Sequence, residues 1–241
     1  MSYCIIIPAY NGLNKRFSHC IKSWEIYANK YNIDIYIPDS TIPNSPKGSN
    51  WELGAWEKWK GAENIINKYD NFLMVDADTM VRWDCPNIFK IIKLNAFNAV
   101  LDGKAGFAHF PQWSDLDDFS PNLDFYFNTG LQAFSKKIGK DIIKNIPKYF
   151  NFWTNRHLNN IKIDAVEQTA INIIIQKIKT PINILPLEFN NLVLNNYHDF
   201  NFIEENYIWH FTGPNMGGWS NKESIINQTW DKVKENYFKP S

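Results

Sequence analysis

Apolar positions along this chain repeat with two periods, and each period predicts an element. Residues 3–8 (Tyr, Cys, Ile, Ile, Ile, Pro) are almost continuously apolar, as expected of a parallel strand covered on both faces. Ala9, Tyr10, Asn11 and Gly12 then read as a turn at the strand's carboxyl end. Leu13, Phe17, Cys20, Ile21, Trp24, Tyr27, Ala28 and Tyr31 recur every three or four residues, which predicts an amphipathic helix with one buried stripe. Residues 33–37 alternate like a strand, and residues 39–50, with Pro43, Pro46 and Gly48, read as a loop. Residues 51–69 form a second helical pattern with Trp51, Ala55, Trp59 and Ile66 roughly on one side, and residues 71–75 are again strand-like. The opening is therefore β-α-β-α-β, a parallel sheet with helices on its faces. Further on, the pattern predicts a short helix over 87–95, a strand over 97–101 and a long polar, aromatic loop over 102–123. Next come a strand ending near Phe134, a helix over 136–148 and another from Asp164. A strand over 183–187, an apolar run over 207–211 and an amphipathic helix over 220–237 complete the chain. No repeat or linker divides it, so the expectation is an α/β fold in one domain, 1–241, with a mostly parallel central sheet flanked by helices.

Composition narrows the function classes. At 44% hydrophobic and 21% charged, the 241 residues can bury a real core. Lys+Arg and Asp+Glu number 25 each, and a net charge of zero argues against a general nucleic-acid binder or an anionic membrane surface. Cys4, Cys20 and Cys85 stand far apart with no CxxC pair, as expected of reduced thiols in a cytoplasmic protein. No signal peptide precedes the first strand, and no apolar run approaches the ~20 residues of a membrane span. Aromatic residues make up 16% of the chain; most belong in the core, and the rest suit the C–H faces of sugar rings.

The chemistry centres on Val75, Asp76, Ala77, Asp78 and Thr79. Alternate side chains of an extended segment point the same way, so both carboxylates can face one spot at the carboxyl end of a strand, where ligands bind in open α/β sheets. Two carboxylates that close call for a cation. Mg²⁺ or Mn²⁺ would in turn hold a phosphate, and the alternative is a pair of exposed turn aspartates. His210, at the end of an apolar run, is a candidate third ligand or a hydrogen-bonded structural histidine. In the first turn Tyr10 could stack on a base and Asn11 hydrogen-bond to it. Asn128 could serve sugar hydroxyls, and Gly130 could let the backbone pass close to a ligand. Asp164 followed by Glu167 reads either as a capping box or as a helix N-terminus that turns Glu167 and Gln168 toward a sugar.

Taken in order, Asp76-Ala77-Asp78, Phe127-Asn128-Thr129-Gly130, Glu167-Gln168 and His210-Phe211-Thr212-Gly213-Pro214 resemble the GT-A-fold nucleotide-sugar glycosyltransferases. The group they resemble is glycosyltransferase family 8, the glycogenin and lipopolysaccharide-galactosyltransferase type. The resemblance implies that residues 1–80 form a nucleotide-binding half and 81–241 a donor-sugar and acceptor half. It implies that Asp76, Asp78 and His210 hold Mn²⁺ or Mg²⁺ on the diphosphate of a UDP-hexose. It also implies that Asn128, Gly130 and Gly213 lie at the donor, that Gln168 and Glu167 flank the reacting carbon, and that the anomeric configuration is retained during transfer to a hydroxyl acceptor.

Two departures stand out. Glu167 replaces the family's aspartate, and Met216 stands where the family carries a lysine that neutralises the leaving diphosphate; Lys222, or the amides of Gly217 and Gly218, are candidate replacements. Two other readings fit part of the sequence. Asp76 and Asp78 before Thr79 also match a haloacid-dehalogenase-type phosphatase, with Asp76 as nucleophile, although β-α-β units precede the motif and no later paired-aspartate strand follows. A catalytically decayed nucleotide-sugar-binding module is the other.

Overall fold

The computed structural model describes residues 1–40, 50–116, 120–122, 124–193, 199–212 and 219–239. Strand β1 (Tyr3–Ile6) runs into a 3-10 turn (Tyr10–Gly12), then helices α1 (Leu13–Arg16) and α2 (Ser18–Tyr31), strand β2 (Asp34–Tyr36), helix α3 (Asn50–Ile65) and strand β3 (Asn71–Val75). The β-α-β-α-β opening is thus present, with the first helix broken at Phe17. Next come β4 (Thr79–Val81), β5 (Phe97–Leu101), β6 (Phe127–Ser135), α4 (Lys136–Leu158) and α5 (Val166–Lys177). They are followed by β7 (Ile182–Ile184), β8 (Asn191–Leu192), α6 (Phe202–Glu205), β9 (Ile208–His210) and α7 (Trp219–Val233).

The main sheet has the order β2-β1-β3-β6-β5-β7. Its β1–β2, β1–β3 and β5–β7 pairings are parallel, while β6 runs antiparallel to both neighbours, so the sheet is mixed. Alternation along the strands sorts the core into two layers. Cys4, Ile6, Phe72 and Met74 face α3, α4 and α5, and Ile5, Ile7, Leu73 and Val75 face α2 and α7. The sequence did not announce a second small sheet, β4-β9-β8, which carries the chain on from the carboxyl end of β3. Helix α2 pins it: the buried Trp24 indole donates to the Thr79 carbonyl at 3.1 Å, and Ser23 Oγ accepts from the Val81 N–H at 3.1 Å.

Local signals over-read or under-read several elements. Residues 87–95 hold only a 3-10 turn (Ile88–Lys90), and the supposed loop after Asp102 contains a ten-residue 3-10 run (Lys104–Trp113). Helix α4 continues ten residues past Lys148 despite Pro147, because Tyr149 and Trp153 bury into the α3 layer. The paired aspartates Asp117 and Asp118 lie outside the described residues.

Candidate functional site

β3 belongs to the main sheet and β4 to the small one, so the chain must turn between them. Asp76, Ala77 and Asp78 form that turn, closed by the Thr79 N–H and hydroxyl on the Asp76 carbonyl at 3.0 and 2.6 Å. The Asp76 N–H donates to the Gly130 carbonyl at 2.9 Å, which ties the turn to β6. Antiparallel pairing of Thr79 with His210 sets the histidine opposite the turn, and the Phe211 N–H closes on the Asp78 carbonyl at 3.0 Å. His210 Nε2 therefore stands 3.8 Å from Asp76 Oδ2 and 3.4 Å from Asp78 Oδ1. One ligand atom from each of the three residues lies within 4.8 Å of the others, and no other such cluster occurs among the described residues.

Each aspartate divides its two oxygens. One faces His210; the other is held by a buried lysine. Lys222, from α7, meets Asp78 Oδ2 at 2.8 Å, and Lys58, from α3, meets Asp76 Oδ1 at 3.3 Å. Lys58 also reaches Glu167 Oε2 at 3.2 Å and the Thr129 carbonyl at 3.3 Å. Two oxygens and an imidazole nitrogen facing inward, with the outer oxygens fixed, form a donor set that suits Mn²⁺ or Mg²⁺.

Burial and charge compete throughout. Burial alone would lower the Lys58 pKa, but the Asp76 and Glu167 carboxylates outweigh it and raise it above 10.5, so the side chain remains an ammonium ion. Burial raises the Glu167 pKa, an effect that Lys58 only partly offsets. Burial also acts to raise Asp78, yet Lys222 and His210 hold its carboxyl well below the usual range.

Beside the triad runs a row of polar side chains. The β5–β6 ladder slips between Ala99 and Val100, where the partner jumps from Gln132 to Asn128. At this irregularity the Thr129 N–H donates to Gln168 Oε1 at 3.2 Å and the Gly130 N–H to Asn128 Oδ1 at 2.8 Å. Asn128 Nδ2 donates to Gln168 Oε1 at 3.2 Å, and Gln168 Nε2 to Asp102 Oδ2 at 2.6 Å. At the other end, Asn190 Nδ2 donates to Asn128 Oδ1 at 3.0 Å and Asn190 Oδ1 faces His210 Nδ1 at 3.1 Å. Burial raises the Asp102 pKa against the hydrogen bonds from Gln168 and Asn128.

Asp76, Asp78, His210, Asn128, Gly130, Gln168 and Glu167 thus meet at the carboxyl end of β3, beside the start of β6 in the middle of the main sheet, with Lys222 on Asp78. Some placements differ from expectation. Asp164 does not cap α5: Ala165 is the N-cap, with φ of 47°, and Asp164 pairs with Lys162 at 2.7 Å and accepts from Gln112. Glu167 turns inward, taking Trp59 Nε1 at 3.2 Å and Thr129 Oγ1 at 3.1 Å. Tyr10 is only 6% exposed and its hydroxyl donates to the Glu57 carbonyl at 2.9 Å, so its ring is enclosed rather than offered for stacking. Asn11 sits beside it in the left-handed region with φ of 55°, and Gly213 lies outside the described residues. Gly130 is crowded by the protein itself, since a Cβ there would stand 2.1 Å from His210 Cε1. Gly130→Ala is accordingly expected to displace the imidazole and to cost about 3 kcal/mol, the top of the overpacking range; calorimetric unfolding and Mn²⁺ titration would check it.

Sequence reading missed Lys58, Asp102 and Asn190. Lys58 carried a faint signal, a lysine between Trp56 and Trp59 on the apolar side of α3.

The chain matches no sequence-family profile and no curated protein sequence. Solved structures do resemble it. A glycosyltransferase involved in glycosylation of the major capsid of PBCV-1 superposes with a TM-score of 0.64 at 12% identity, over 95% of this chain and 100% of that one. This is the GT-A fold. The galactosyltransferase LgtC, in complex with donor and acceptor sugar analogues, shares it with a TM-score of 0.54 at 15% identity, over 95% and 99% of the two chains. So does the bifunctional glycosyltransferase WbbM (0.57, 15%), of which 52% is covered by 99% of this chain. The GT-A fold displaces the haloacid-dehalogenase-type phosphatase reading: Asp76 stands between a lysine and a histidine at the junction of two sheets, in an architecture shared with sugar transferases. Among the described residues no helix is long and apolar enough to cross a membrane.

Proposed function

We propose that this protein is a metal-dependent glycosyltransferase that moves a hexose from a nucleotide-sugar, a UDP-hexose, to a hydroxyl acceptor with retention of configuration. The observation that carries the reading is the convergence of Asp76, Asp78 and His210 beside the Asn128–Gln168–Asp102 row within a GT-A fold. Asp76, Asp78 and His210 would hold Mn²⁺, whose chemistry is neutralisation of the diphosphate as the sugar–phosphate bond breaks. Lys222 and Lys58 orient the carboxylates and keep cationic charge close to the departing diphosphate. Asn128 and Gln168 meet the donor sugar, with Gln168 beside the reacting carbon and held there by Asp102 and the Thr129 N–H. Glu167 acts through Lys58: both its oxygens are engaged inside the protein, so it positions rather than touches the sugar.

Thermal unfolding with a panel of nucleotide-sugars, with and without Mn²⁺, tests this. At about 100 times the dissociation constant a ligand of the folded state adds about 2.7 kcal/mol, or roughly 5–10 °C for a chain of this size. A shift of that order with a UDP-hexose only when Mn²⁺ is present is the expected result. A panel with no shift would overturn the reading.

A further inference from the structure

We infer that Asn190 is a positioning residue that locks His210 in the tautomer needed for metal binding and joins it to the sugar-facing amides as one hydrogen-bonded unit. The inference rests on the metal-site reading above but comes from hydrogen-bond direction alone. A backbone N–H can only donate. The Gly130 N–H, 2.8 Å from the Asn128 side chain, therefore fixes the facing atom as Oδ1, an acceptor. Asn190 approaches that same oxygen at 3.0 Å and must present its Nδ2 to it. The other end of the Asn190 amide is then Oδ1, and it faces His210 Nδ1 at 3.1 Å. An oxygen there demands a proton on Nδ1, so in the neutral ring the lone pair is on Nε2. Nε2 is the atom 3.4 and 3.8 Å from the two aspartates. A lone pair facing two carboxylate oxygens is repulsive, and a cation among the three, a proton on the ring or a bound metal, resolves it. The opposite amide orientation would set oxygen against oxygen at Asn128.

The other end of the unit is anchored in the same way. The Thr129 N–H fixes Gln168 Oε1 as an acceptor, Asn128 Nδ2 donates to it, and Gln168 Nε2 turns to Asp102. Two adjacent backbone N–H groups of β6 thus set the direction of every amide between Asp102 and His210. Asn190 is 2% exposed, so water does not substitute for it.

The test uses ¹⁵N-histidine-labelled, metal-free full-length protein at a pH where the ring is neutral, with His210→Asn identifying the resonance. Wild type is expected to show a protonated Nδ1 and a bare Nε2. Asn190→Leu should lose that bias and bind Mn²⁺ about 10–100-fold more weakly by electron paramagnetic resonance, the usual effect of losing a ligand's outer hydrogen-bond partner. Asn190→Asp keeps an acceptor for Nδ1–H but gives up the hydrogen bond to Asn128 Oδ1, so it should retain the tautomer while breaking the link to Asn128, which separates positioning of the imidazole from packing. An unchanged tautomer and unchanged affinity in Asn190→Leu would overturn the inference. Should that variant fail to fold, a proton on Nε2 in Asn190→Asp would do the same. None of these readouts uses a nucleotide-sugar, so the transferase reading stands or falls separately in the thermal panel.

Discussion

Lys58→Met is expected to destabilise the protein by about 3–5 kcal/mol, the cost of removing one partner from a buried ion pair. Lys58 is 4% exposed and Glu167 2%, so the variant leaves the Glu167 carboxylate with hydrogen bonds from Trp59 and Thr129 but no counter-charge. Asp76 suffers less, because its side chain is 34% exposed and water screens it. At about 2–4 °C per kcal/mol, the melting point should fall by roughly 6–20 °C. Adding Glu167→Gln should recover most of the loss, and a double variant as unstable as the single one would show that packing rather than charge is at stake. The pH dependence gives a second handle. The folded-state pKa of Lys58 lies above its ordinary 10.5, so its contribution to wild-type stability is complete below 10.5 and is lost as pH rises through the folded value. Lys58→Met should lack that alkaline loss. Glu167 likewise has a folded pKa raised above its ordinary 4.5, and further raised without Lys58, so protonating it favours the folded state. The deficit of Lys58→Met should therefore shrink as pH falls toward 4.5, read by urea unfolding across pH.

Asp78→Asn is expected to lower kcat/KM for the proposed sugar transfer by about 10²–10³-fold, the scale for removing one preorganised group aimed at developing charge. The asparagine keeps an oxygen for Lys222 at 2.8 Å and for the fold, but gives up the negative charge that draws a cation toward Asp78 Oδ1 and His210 Nε2. Excess Mn²⁺ should restore part of the loss, and the melting point should fall by less than in Lys58→Met. Steady-state kinetics across Mn²⁺ concentrations, beside thermal unfolding of the same samples, separates loss of the metal site from loss of the fold. Unchanged turnover would remove Asp78 from the catalytic machinery.

What this sequence determined by itself was what local pattern can carry. Continuous apolar runs marked β1 and β3, three- and four-residue spacing marked α2 and α7, and an Asp-x-Asp after an apolar strand marked the turn where the two sheets part. The order of short motifs through His210 was enough to suggest the GT-A architecture. The environment of each motif residue was decided only in three dimensions, because the partners lie far apart along the chain. Lys222 reaches Asp78 across 144 positions, Trp59 reaches Glu167 across 108, Gln168 reaches Asp102 across 66 and Asn190 reaches Asn128 across 62. At Glu167 the local signal allowed a helix cap or a carboxylate turned toward a sugar. Burial against α3 and the charge of Lys58 drew the carboxylate inward instead, since a cap offers one hydrogen bond and this site offers an ammonium ion as well. Gly130 carried no sign that His210 would stand against it, because the contact exists only once β4 pairs with β9 and swings the histidine over β6.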